Sequence, residues 1–328
     1  MKYRIQSIAK YLPGQPVPAA RLELAAGMKR GWIDKNSGVS YRHRAAATDS
    51  VCKLAARALR RAVVRGKSSF SDLDQLIFAS GTFDHPIPYN ACLLKRELHL
   101  DQLDFPCFDI DATCLSFLVA LDLAFDRIQR RGCDTLAIVS SEIASRSLNP
   151  NDPKTYSLFG DGAAAVILEG SETEGFTFLG SHFENYCEGA DLAIVPAGGL
   201  KQLGNDPSIP TEDFYFQMHG RKLVALTFKK LPAFLERLEA QTGVPIDGYD
   251  HYIFHQASKF GNELFLKQYG IPEEKTHRGL ERYGNCISAS IPLGLEELIN
   301  ERGVQTGERV LLLGTAAGLS LGGVALQF

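Results

Sequence analysis

The amino-acid sequence predicts an α/β fold of two similar halves, with sheets and helices packed in layers around central helices. Apolar runs typical of buried strands alternate with helical patterns along the chain. The order helix, strand, helix, loop, helix, strand, strand occurs twice, about 180 residues apart, although the halves share little residue identity. Two such halves bury their apolar faces when sheets enclose the central helices. We place the halves at residues 1–170 and 171–328.

The first half contains four short apolar runs and two helical patterns. The apolar runs predict strands buried on both faces, at residues 73–80, 105–110, 135–140 and 163–168. Apolar residues recur at helical spacing from Val51 to Val63, with arginines between them, which predicts an amphipathic helix. Residues 115–128 are apolar almost all round, so this helix is expected at the centre of the fold.

The second half repeats this order. The expected helices cover residues 222–241, a segment from about Lys259 and residues 291–300, and the expected strands cover 252–254, 310–314 and 323–328. The uncharged stretch 310–326 contains several glycines, which favour two buried strands and a turn over a membrane helix. Residues 149–155 and 189–213 are rich in Pro, Gly, Asn and Asp and are expected to form long loops.

Composition excludes several classes of protein. The 328 residues carry 35 basic and 38 acidic side chains, a net charge of −3, which argues against a nucleic-acid-binding protein. Charged residues make up 22% and hydrophobic residues 45%, which excludes disordered and fibrous chains. Seven cysteines without a Cys-x-x-Cys pair, behind a start that lacks an apolar signal segment, favour free thiols in the cytoplasm. We expect neither a metal site nor a resident nucleotide cofactor.

Three residues stand at strand-to-helix junctions and carry useful chemistry. Cys114 lies at the start of the predicted central helix, where the helix dipole should lower the pKa of its thiol. His255 follows the strand 252–254, and Asn285 precedes a helix of the second half. Each has a plain structural explanation: an inert buried cysteine, a structural histidine and a turn or N-cap asparagine. Together they form a nucleophile-plus-base arrangement.

Longer motifs make the sequence resemble the β-ketoacyl-acyl-carrier-protein synthase III family of the thiolase superfamily. The similar stretches run in order along the chain: DIDATCLSFLVALDLA around Cys114, FGDGAAAVILE, PAGG, FHQAS around His255, YGNCISASIPLGLEE around Asn285, and LLLGTAAGLSLGG. Trp32 and the pair Ile87-Pro88 also match in place. The resemblance implies a thiolase-like layered α-β-α-β-α fold, a homodimer and a role such as fatty acid biosynthesis.

The resemblance also implies a reaction. An acyl thioester would load Cys114, and a malonyl thioester would lose CO2 and attack the acyl group in a decarboxylative Claisen condensation. His255 and Asn285 would hydrogen-bond the enolate oxygen, and the backbone N–H groups of Cys114 and Ala317 would form an oxyanion hole. The acyl group would come from coenzyme A or an acyl carrier protein, and the malonyl group from a carrier protein; coenzyme A or phosphopantetheine would be a substrate carrier, not a bound cofactor.

Further roles follow from the same resemblance. Substrate would contact Trp32, Ile87, Phe159, Met218, Ser258 and Thr315. The carrier protein would dock on Arg221, Lys222 and Lys259. Arg57, Arg60, Arg61 and Arg65 share one helix, and we favour a solvated face over a docking surface for them. Asp161 is expected to bridge backbone amides in a turn rather than to act in catalysis.

Some positions depart from the family pattern. Asn36 and Pro153 stand where the family usually has arginines for the coenzyme A nucleotide. Ser258 stands where the family usually has asparagine, and Ile87 and Thr315 replace common aromatic residues. Conventional coenzyme A docking and an acetyl-sized acyl pocket are therefore in question.

Two alternative functions remain. One is an acyltransferase of secondary metabolism that uses Cys114 and His255 to pass an acyl group to an alcohol or amine; the retained Asn285 favours condensation over it. The other is an inactive partner subunit of a ketosynthase, which the retained Cys114, His255 and Asn285 argue against. The mass of the product distinguishes the first alternative, and acylation of the pure protein distinguishes the second.

Overall fold

The computed structural model of the chain describes residues 1–130, 132–204 and 206–328. The strands within these ranges are β1 (Lys2–Tyr11), β2 (Val17–Pro18), β3 (Tyr41–Arg42), β4 (Gln75–Ala79), β5 (Cys107–Ile110), β6 (Thr135–Ile143), β7 (Asp161–Ser171), β8 (Thr177–Asn185), β9 (Ala193–Ile194), β10 (Gln217–Met218), β11 (His251–Phe254), β12 (Thr276–His277), β13 (Arg309–Ala316) and β14 (Ser320–Gln327). The α-helices are α1 (Ala19–Ala25), α2 (Trp32–Ser37), α3 (Val51–Gly66), α4 (Asn90–Glu97), α5 (Ser116–Gln129), α6 (Pro153–Tyr156), α7 (Gly220–Thr242), α8 (Lys259–Tyr269), α9 (Leu280–Tyr283) and α10 (Ser290–Glu297).

Two five-stranded sheets with the same strand order form the framework. The first sheet runs β1-β7-β6-β4-β5 and the second runs β8-β14-β13-β11-β12. In each sheet the last three strands in that order are parallel, and the other neighbours pair antiparallel. The two halves of the chain therefore build equivalent sheets, as the repeated order of elements predicts.

The helices α5 and α10 lie between the two sheets. One core cluster joins Phe117 and Leu121 of α5 and Ile291 of α10 with residues of both sheets, such as Val166 and Val324. On the outer faces, α3 and α4 pack against the first sheet, and α7 and α8 pack against the second. This arrangement confirms the predicted α-β-α-β-α layers, and it explains why α5 is apolar almost all round.

The predicted strands and helices are present with shifted ends. The strand predicted at 163–168 extends over Asp161–Ser171, and the stretch 310–326 forms β13, a turn and β14, as expected. The outermost strands β1 and β8 were not predicted. The loop predicted at 149–155 contains α6, and the long loop 189–213 contains β9 and a 3-10 turn; Asn205 within this loop lies outside the described residues.

The cysteines, the hydropathy of the helices and the arginines of α3 bear on smaller expectations. All seven cysteines are free thiols. In the described ranges, no helix combines the length and the apolar character needed to cross a membrane. The arginines of α3 bond to this chain itself: Arg57 to Tyr11 and Asp49, Arg60 to the Glu97 carbonyl, Arg61 to the Lys10 carbonyl and Arg65 to Glu296. The solvated face favoured for α3 fits these contacts better than a docking surface.

Candidate active site

Cys114 lies in a tight turn between β5 and α5. Residues Thr113–Leu115 form a 3-10 turn that leads directly into Ser116, the first residue of α5. The Thr113 N–H donates to Asp111 Oδ1 at 2.8 Å. Ser116 Oγ accepts from the Ala112 N–H at 3.0 Å and donates to the Thr113 carbonyl at 2.7 Å. Thr113 has a φ of 52°, which is strained for a β-branched residue, so these bonds hold the turn against its local preference.

The thiol of Cys114 faces a backbone N–H group from the other half of the chain. The Cys114 residue is half-buried, and the Ala317 N–H and the Thr113 hydroxyl lie against its sulfur. Burial is nevertheless the largest effect, and it raises the pKa of the Cys114 thiol to about 12, with the Glu142 carboxyl acting in the same direction. The pKa of the thiol is therefore raised, whereas the position at the helix start predicts a lowered pKa, because burial is the largest effect on this group.

His255 stands at the end of β11. Its backbone N–H donates to the Leu313 carbonyl at 2.9 Å, which continues the pairing of β11 with β13. The residue is buried, and burial lowers the pKa of the imidazole to about 4. The next residue, Gln256, donates to the Phe254 carbonyl at 2.7 Å and accepts from the Leu280 N–H at 3.1 Å. His255 is therefore a neutral imidazole at neutral pH, on a backbone fixed from both sides.

Asn285 is held by a close crossing of two glycine-containing segments. A Cβ on Gly284 would lie 2.7 Å from the Leu158 carbonyl, and one on Gly160 would lie 2.0 Å from the Tyr283 carbonyl. Glycine at both positions lets Phe159 and Asn285 form a parallel backbone bridge. Asn285 Oδ1 accepts from the Ile287 N–H at 2.8 Å, which leaves the side-chain NH2 group to donate elsewhere.

The segments that carry these residues meet between the two sheets. A Cβ on Gly314 of β13 would lie 2.8 Å from Leu115 Cδ2 and 3.3 Å from His255 Cβ. A Cβ on Gly81 would lie 3.3 Å from both the Thr113 Cα and Ile287 Cγ2. Residues next to Cys114, His255 and Asn285 thus contact common neighbours, so the three predicted catalytic residues share one site.

An apolar cluster lies beside this site. Phe159 packs edge-on against Phe216, with ring centroids 5.3 Å apart. Trp32, Met218 and Ile287 pack against the same cluster, which also contains buried Ala144. This cluster brings together three predicted substrate residues: Trp32, Phe159 and Met218.

The structure gives the other predicted substrate residues different surroundings. Ile87 is 87% exposed and is not among the residues of this cluster in the described chain. Ser258 caps α8, its Oγ accepting from the Gly261 N–H at 3.2 Å, and its predicted contact with substrate stays a prediction. Thr315 lies half-buried on β13, one residue from the buried Gly314.

Asp161 has the predicted structural role. Its carboxylate accepts hydrogen bonds from the Ala45 N–H at 2.7 Å, the Ser145 N–H at 2.9 Å and the Ser145 hydroxyl at 2.7 Å. These bonds tie the start of β7 to two neighbouring loops. The prediction that Asp161 bridges backbone amides is confirmed.

The predicted docking lysines and arginine are exposed near the site. Arg221 and Lys222 lie in the first turn of α7, and Lys259 is the first residue of α8. The Lys259 side chain passes over Gly38, at the end of the helix that begins with Trp32. The exposed Asn36 on that helix donates its side-chain amide to the Trp32 carbonyl at 2.7 Å.

Sequence reasoning missed three residues of this region: Thr113, Ile287 and Glu142. Ile287, like Thr113, is β-branched with a positive φ, 46°. Glu142 is a fully buried carboxyl on β6 that accepts from the Gly81 N–H at 2.8 Å and the Thr82 hydroxyl at 2.6 Å. One signal was available for Glu142, because it is a charged residue two positions after the predicted apolar strand 135–140. No described group of three or more His, Cys, Asp or Glu side chains is arranged to hold a metal ion.

Comparison with known proteins adds independent evidence. The sequence model for the C-terminal domain of 3-oxoacyl-[acyl-carrier-protein] synthase III matches residues 239–328, and a second model named for the same synthase matches residues 108–187. Two relatives named β-ketoacyl-[acyl-carrier-protein] synthase III are similar over their whole length. The one from Coxiella burnetii is 30% identical over 99% of this chain and 98% of its own. The one from Neisseria gonorrhoeae is 30% identical over 100% of both chains.

Solved structures agree with the sequence relatives. The 3-oxoacyl-[acyl-carrier-protein] synthase III of Aquifex aeolicus has a TM-score of 0.87 at 27% identity, with 99% of this chain and 100% of that chain covered. Another crystal structure of a synthase of this name, at 2.1 Å, has a TM-score of 0.90 at 26% identity, with 100% of both chains covered. The chain therefore belongs to the 3-oxoacyl-[acyl-carrier-protein] synthase III family and is a condensing enzyme of the ketosynthase III type.

Proposed function

We propose that the protein loads an acyl group from an acyl thioester onto Cys114 and joins it to a malonyl thioester by decarboxylative Claisen condensation. One observation carries the proposal: the Cys114 sulfur, the Ala317 N–H, neutral His255 and the free amide of Asn285 belong to segments that share contacts at one site. A nucleophile, donors for developing negative charge and apolar surface for an acyl chain are the groups that this reaction needs.

In the first step, Cys114 attacks the thioester carbonyl. Its raised pKa means that the thiol keeps its proton at neutral pH until attack begins. His255 is neutral at neutral pH because burial lowers its pKa to about 4, so in its Nδ1–H tautomer it can accept this proton transiently at Nε2. The negative charge of the tetrahedral intermediate would fall between the N–H groups of Cys114 and Ala317. The carbon–sulfur bond of the donor then breaks, and the proton passes to the departing thiol.

In the second step, the malonyl thioester loses CO2. The carbon–carbon bond breaks, and its electrons move toward the thioester carbonyl to form an enolate. The Asn285 NH2 group and the Nε2–H tautomer of His255 would donate hydrogen bonds to the enolate oxygen. A neutral imidazole fits this role, because its lowered pKa keeps a single ring proton available for donation.

In the third step, the enolate carbon attacks the acyl carbonyl on Cys114. A new carbon–carbon bond forms, the bond to the Cys114 sulfur breaks, and the thiolate takes up a proton. The products are CO2 and a β-ketoacyl thioester two carbons longer than the starter. Removing one oxyanion donor from such a site typically costs about 10²–10³-fold in rate.

For partners, we propose an acyl-coenzyme A or acyl carrier protein as donor and a malonyl carrier protein as acceptor. The exposed cations Arg221, Lys222 and Lys259 suit an acidic carrier protein. We also propose a homodimer. Support comes from β5, the outermost strand of the first sheet, and from a neighbouring loop with large exposed apolar residues: Phe83, Ile87 and Tyr89. In such a dimer, Ile87 would serve the site of the other subunit.

Intact-protein mass spectrometry tests the proposed reaction. The pure protein is mixed with a panel of acyl-coenzyme A and acyl-carrier thioesters, and then with malonyl carrier protein. We expect one acyl mass to appear on the wild-type protein and not on Cys114→Ala, and malonyl carrier protein to discharge it as a product two carbons longer. Uptake without discharge by malonyl carrier protein, but with discharge by an alcohol or amine, would replace condensation by acyl transfer. Failure of the wild-type protein to take up any acyl group would contradict the proposal.

A further inference from the structure

Glu142 is a buried carboxyl whose hydrogen-bond partners come from loops of the active site. Oε1 accepts from the Gly81 N–H at 2.8 Å and from the Ser288 hydroxyl, and Oε2 accepts from the Thr82 hydroxyl at 2.6 Å. These donors are all uncharged. Burial outweighs them and raises the pKa of Glu142 to about 7. The Glu142 carboxyl on β6 therefore accepts its hydrogen bonds from the active-site loops and not from β6 itself.

The loops that Glu142 joins come from opposite halves of the chain. Gly81 and Thr82 follow β4 in the first half, and Ser288 lies in the turn between Asn285 and α10 in the second half. Ser288 Oγ also contacts the Ala79 carbonyl at 3.0 Å. The carboxylate thus fastens the turn that carries Asn285 to the first sheet.

This turn needs to be fastened, because its backbone is strained. Ile287 has a φ of 46°, and its N–H donates to Asn285 Oδ1. A left-handed conformation is unfavourable for a residue with a Cβ, because the Cβ comes too close to the following carbonyl oxygen. Ser288 follows Ile287 directly, so a bond to Ser288 opposes relaxation of Ile287. Relaxation would remove the donor that orients the Asn285 amide.

We propose that Glu142 is a positioning residue for condensation: it fastens the Asn285–Ser288 turn to the Gly81 loop and so orients the Asn285 amide. This inference rests on the proposed function, because it assigns Asn285 to the condensation steps. The turn around Cys114 has its own bonds through Asp111 and Ser116, which do not involve Glu142. Loss of the Glu142 bonds should therefore slow condensation and leave acylation largely intact.

The charge of Glu142 has a second, separable effect. It raises the pKa of the Cys114 thiol, which faces it from the turn before α5. Burial raises the pKa of the Cys286 thiol, and the charges of Asp161 of β7 and of Glu142 act in the same direction. Cys286 is fully buried and Cys114 is half-buried, so of these two thiols Cys114 is the one that reagents reach; the exposed Cys92 and Cys187 also react, and alkylation is therefore followed at the Cys114 peptide. Removing the charge while keeping the hydrogen bonds should make Cys114 ionise at lower pH.

Two substitutions separate bonding from charge. In Glu142→Gln, the amide oxygen can accept from Gly81 and Ser288, and its NH2 group can donate to the Thr82 hydroxyl, which also accepts. In Glu142→Ala, these donors lose their acceptor. We expect Gln to keep condensation within a few-fold of wild type and Ala to lower it by about 10²-fold, the typical cost of a misplaced reacting group. Acylation should stay within a few-fold in both. Ser288→Ala, which removes one bond, should fall between them and remains informative if Glu142→Ala does not fold.

The measurements are single-turnover acylation, discharge of acylated protein by malonyl carrier protein, and the pH dependence of iodoacetamide alkylation at Cys114. The alkylation midpoint should move to lower pH in Glu142→Gln. The control is Glu296→Ala, which removes a buried carboxyl paired with Lys10 and Arg65; it should lower stability without separating acylation from condensation.

Three outcomes would overturn the inference. In the first, Glu142→Ala condenses as well as wild type. In the second, Glu142→Gln and Glu142→Ala lose condensation activity equally. In the third, Glu142→Ala loses acylation and condensation in parallel, as the control does. If wild type itself fails to condense, the proposed function fails instead. A crystal structure of Glu142→Ala then decides the inference alone, because it predicts a displaced Asn285 side chain and an unchanged turn at Cys114.

Discussion

The two halves of the chain have the same backbone turn at equivalent junctions, but the side chains on the two turns have different chemical roles. In the first half, Thr113 has a left-handed backbone conformation and its backbone N–H donates to Asp111 Oδ1 at 2.8 Å. In the second half, Ile287 is left-handed and its N–H donates to Asn285 Oδ1, also at 2.8 Å. A serine hydroxyl then accepts from the N–H four residues earlier in both turns, Ser116 at 3.0 Å and Ser290 at 3.0 Å.

Pairing the two turns residue by residue shows which position carries the functional side chain in each half. Cys114 follows the left-handed residue, and its counterpart in the second half is Ser288, which bonds to Glu142 instead of serving as a nucleophile. Asn285 precedes the left-handed residue by two, and its counterpart is the exposed Asp111. One backbone device therefore presents a thiol in one half and an amide in the other. The difference in function comes from the side chains and not from the turn.

The largest effect is expected from exchanging the counterparts Asn285 and Asp111. In Asn285→Asp, Oδ1 still accepts from the Ile287 N–H, but the donor is lost and a negative charge faces the enolate. We expect discharge of acyl-Cys114 by malonyl carrier protein to fall by at least about 10²–10³-fold, with acylation kept. In Asp111→Asn, the acceptor for Thr113 is kept on an exposed residue, so both half-reactions should change little.

Single-turnover mass spectrometry of both variants measures the two half-reactions separately. Near-normal discharge in Asn285→Asp would show that the amide donor is not needed. An equal loss in Asp111→Asn would show that the turn, and not the donor, limits the rate.

The sequence predicted the layered fold because its signals are strong and local. Continuous apolar runs identify β4, β6 and β7, and the all-round apolar pattern identifies α5. The strands β1 and β8 are missing from the prediction. Each is an outermost strand with mixed burial, so which of its residues are buried depends on neighbours far along the chain. Cys114, His255 and Asn285 were found because their motifs are distinctive.

Three properties of the site were beyond sequence reasoning for a common reason. The pKa of Cys114 depends on how deeply the fold buries the thiol, and the helix position alone gave the wrong direction. The strain at Ile287 and the partners of Glu142 depend on contacts between the halves.

The next effect concerns the outermost strands β5 and β12, which hold equivalent places in the two sheets. Phe108 pairs with Ile77 in the first sheet, and His277 pairs with Ile253 in the second. Both ring nitrogens of His277 are buried without a hydrogen-bond partner in the described chain. Burial lowers the pKa of His277 to about 3, and the charges of Arg302, His251 and Arg282 act in the same direction.

The lowered pKa predicts acid sensitivity from the second sheet. Below the ordinary histidine pKa of about 6.5, the unfolded chain binds a proton at His277 that the folded chain does not bind until about pH 3. The free energy of unfolding therefore falls as pH drops through this window, by about 2 kcal/mol at pH 5 from this residue. We expect His277→Phe to lose less stability than wild type between pH 7 and pH 5. Urea unfolding at the two pH values measures this, and equal losses in both proteins would contradict it.

The smallest effect should come from the left-handed residues themselves, and it should have opposite signs in the two turns. Asparagine tolerates the left-handed conformation better than β-branched residues do, so Thr113→Asn should raise the free energy of unfolding by about 1 kcal/mol. Ile287→Asn relieves similar strain, but it removes a side chain that packs against the apolar cluster of Phe159. Burying a polar amide in place of that chain should cost more than the relief, by roughly 1–3 kcal/mol.

Urea unfolding midpoints of the two variants at pH 7 decide the sign in each turn. Higher stability in both variants would mean that Ile287 contributes strain without useful packing. Lower stability in both would mean that the hydrogen bonds to Asp111 and Asn285 set the left-handed turn, and that the β-branched residue incurs no conformational cost there. Opposite signs would show that the first half tolerates strain only to present Cys114, while the second half recovers part of the cost by packing Ile287 beside the acyl site.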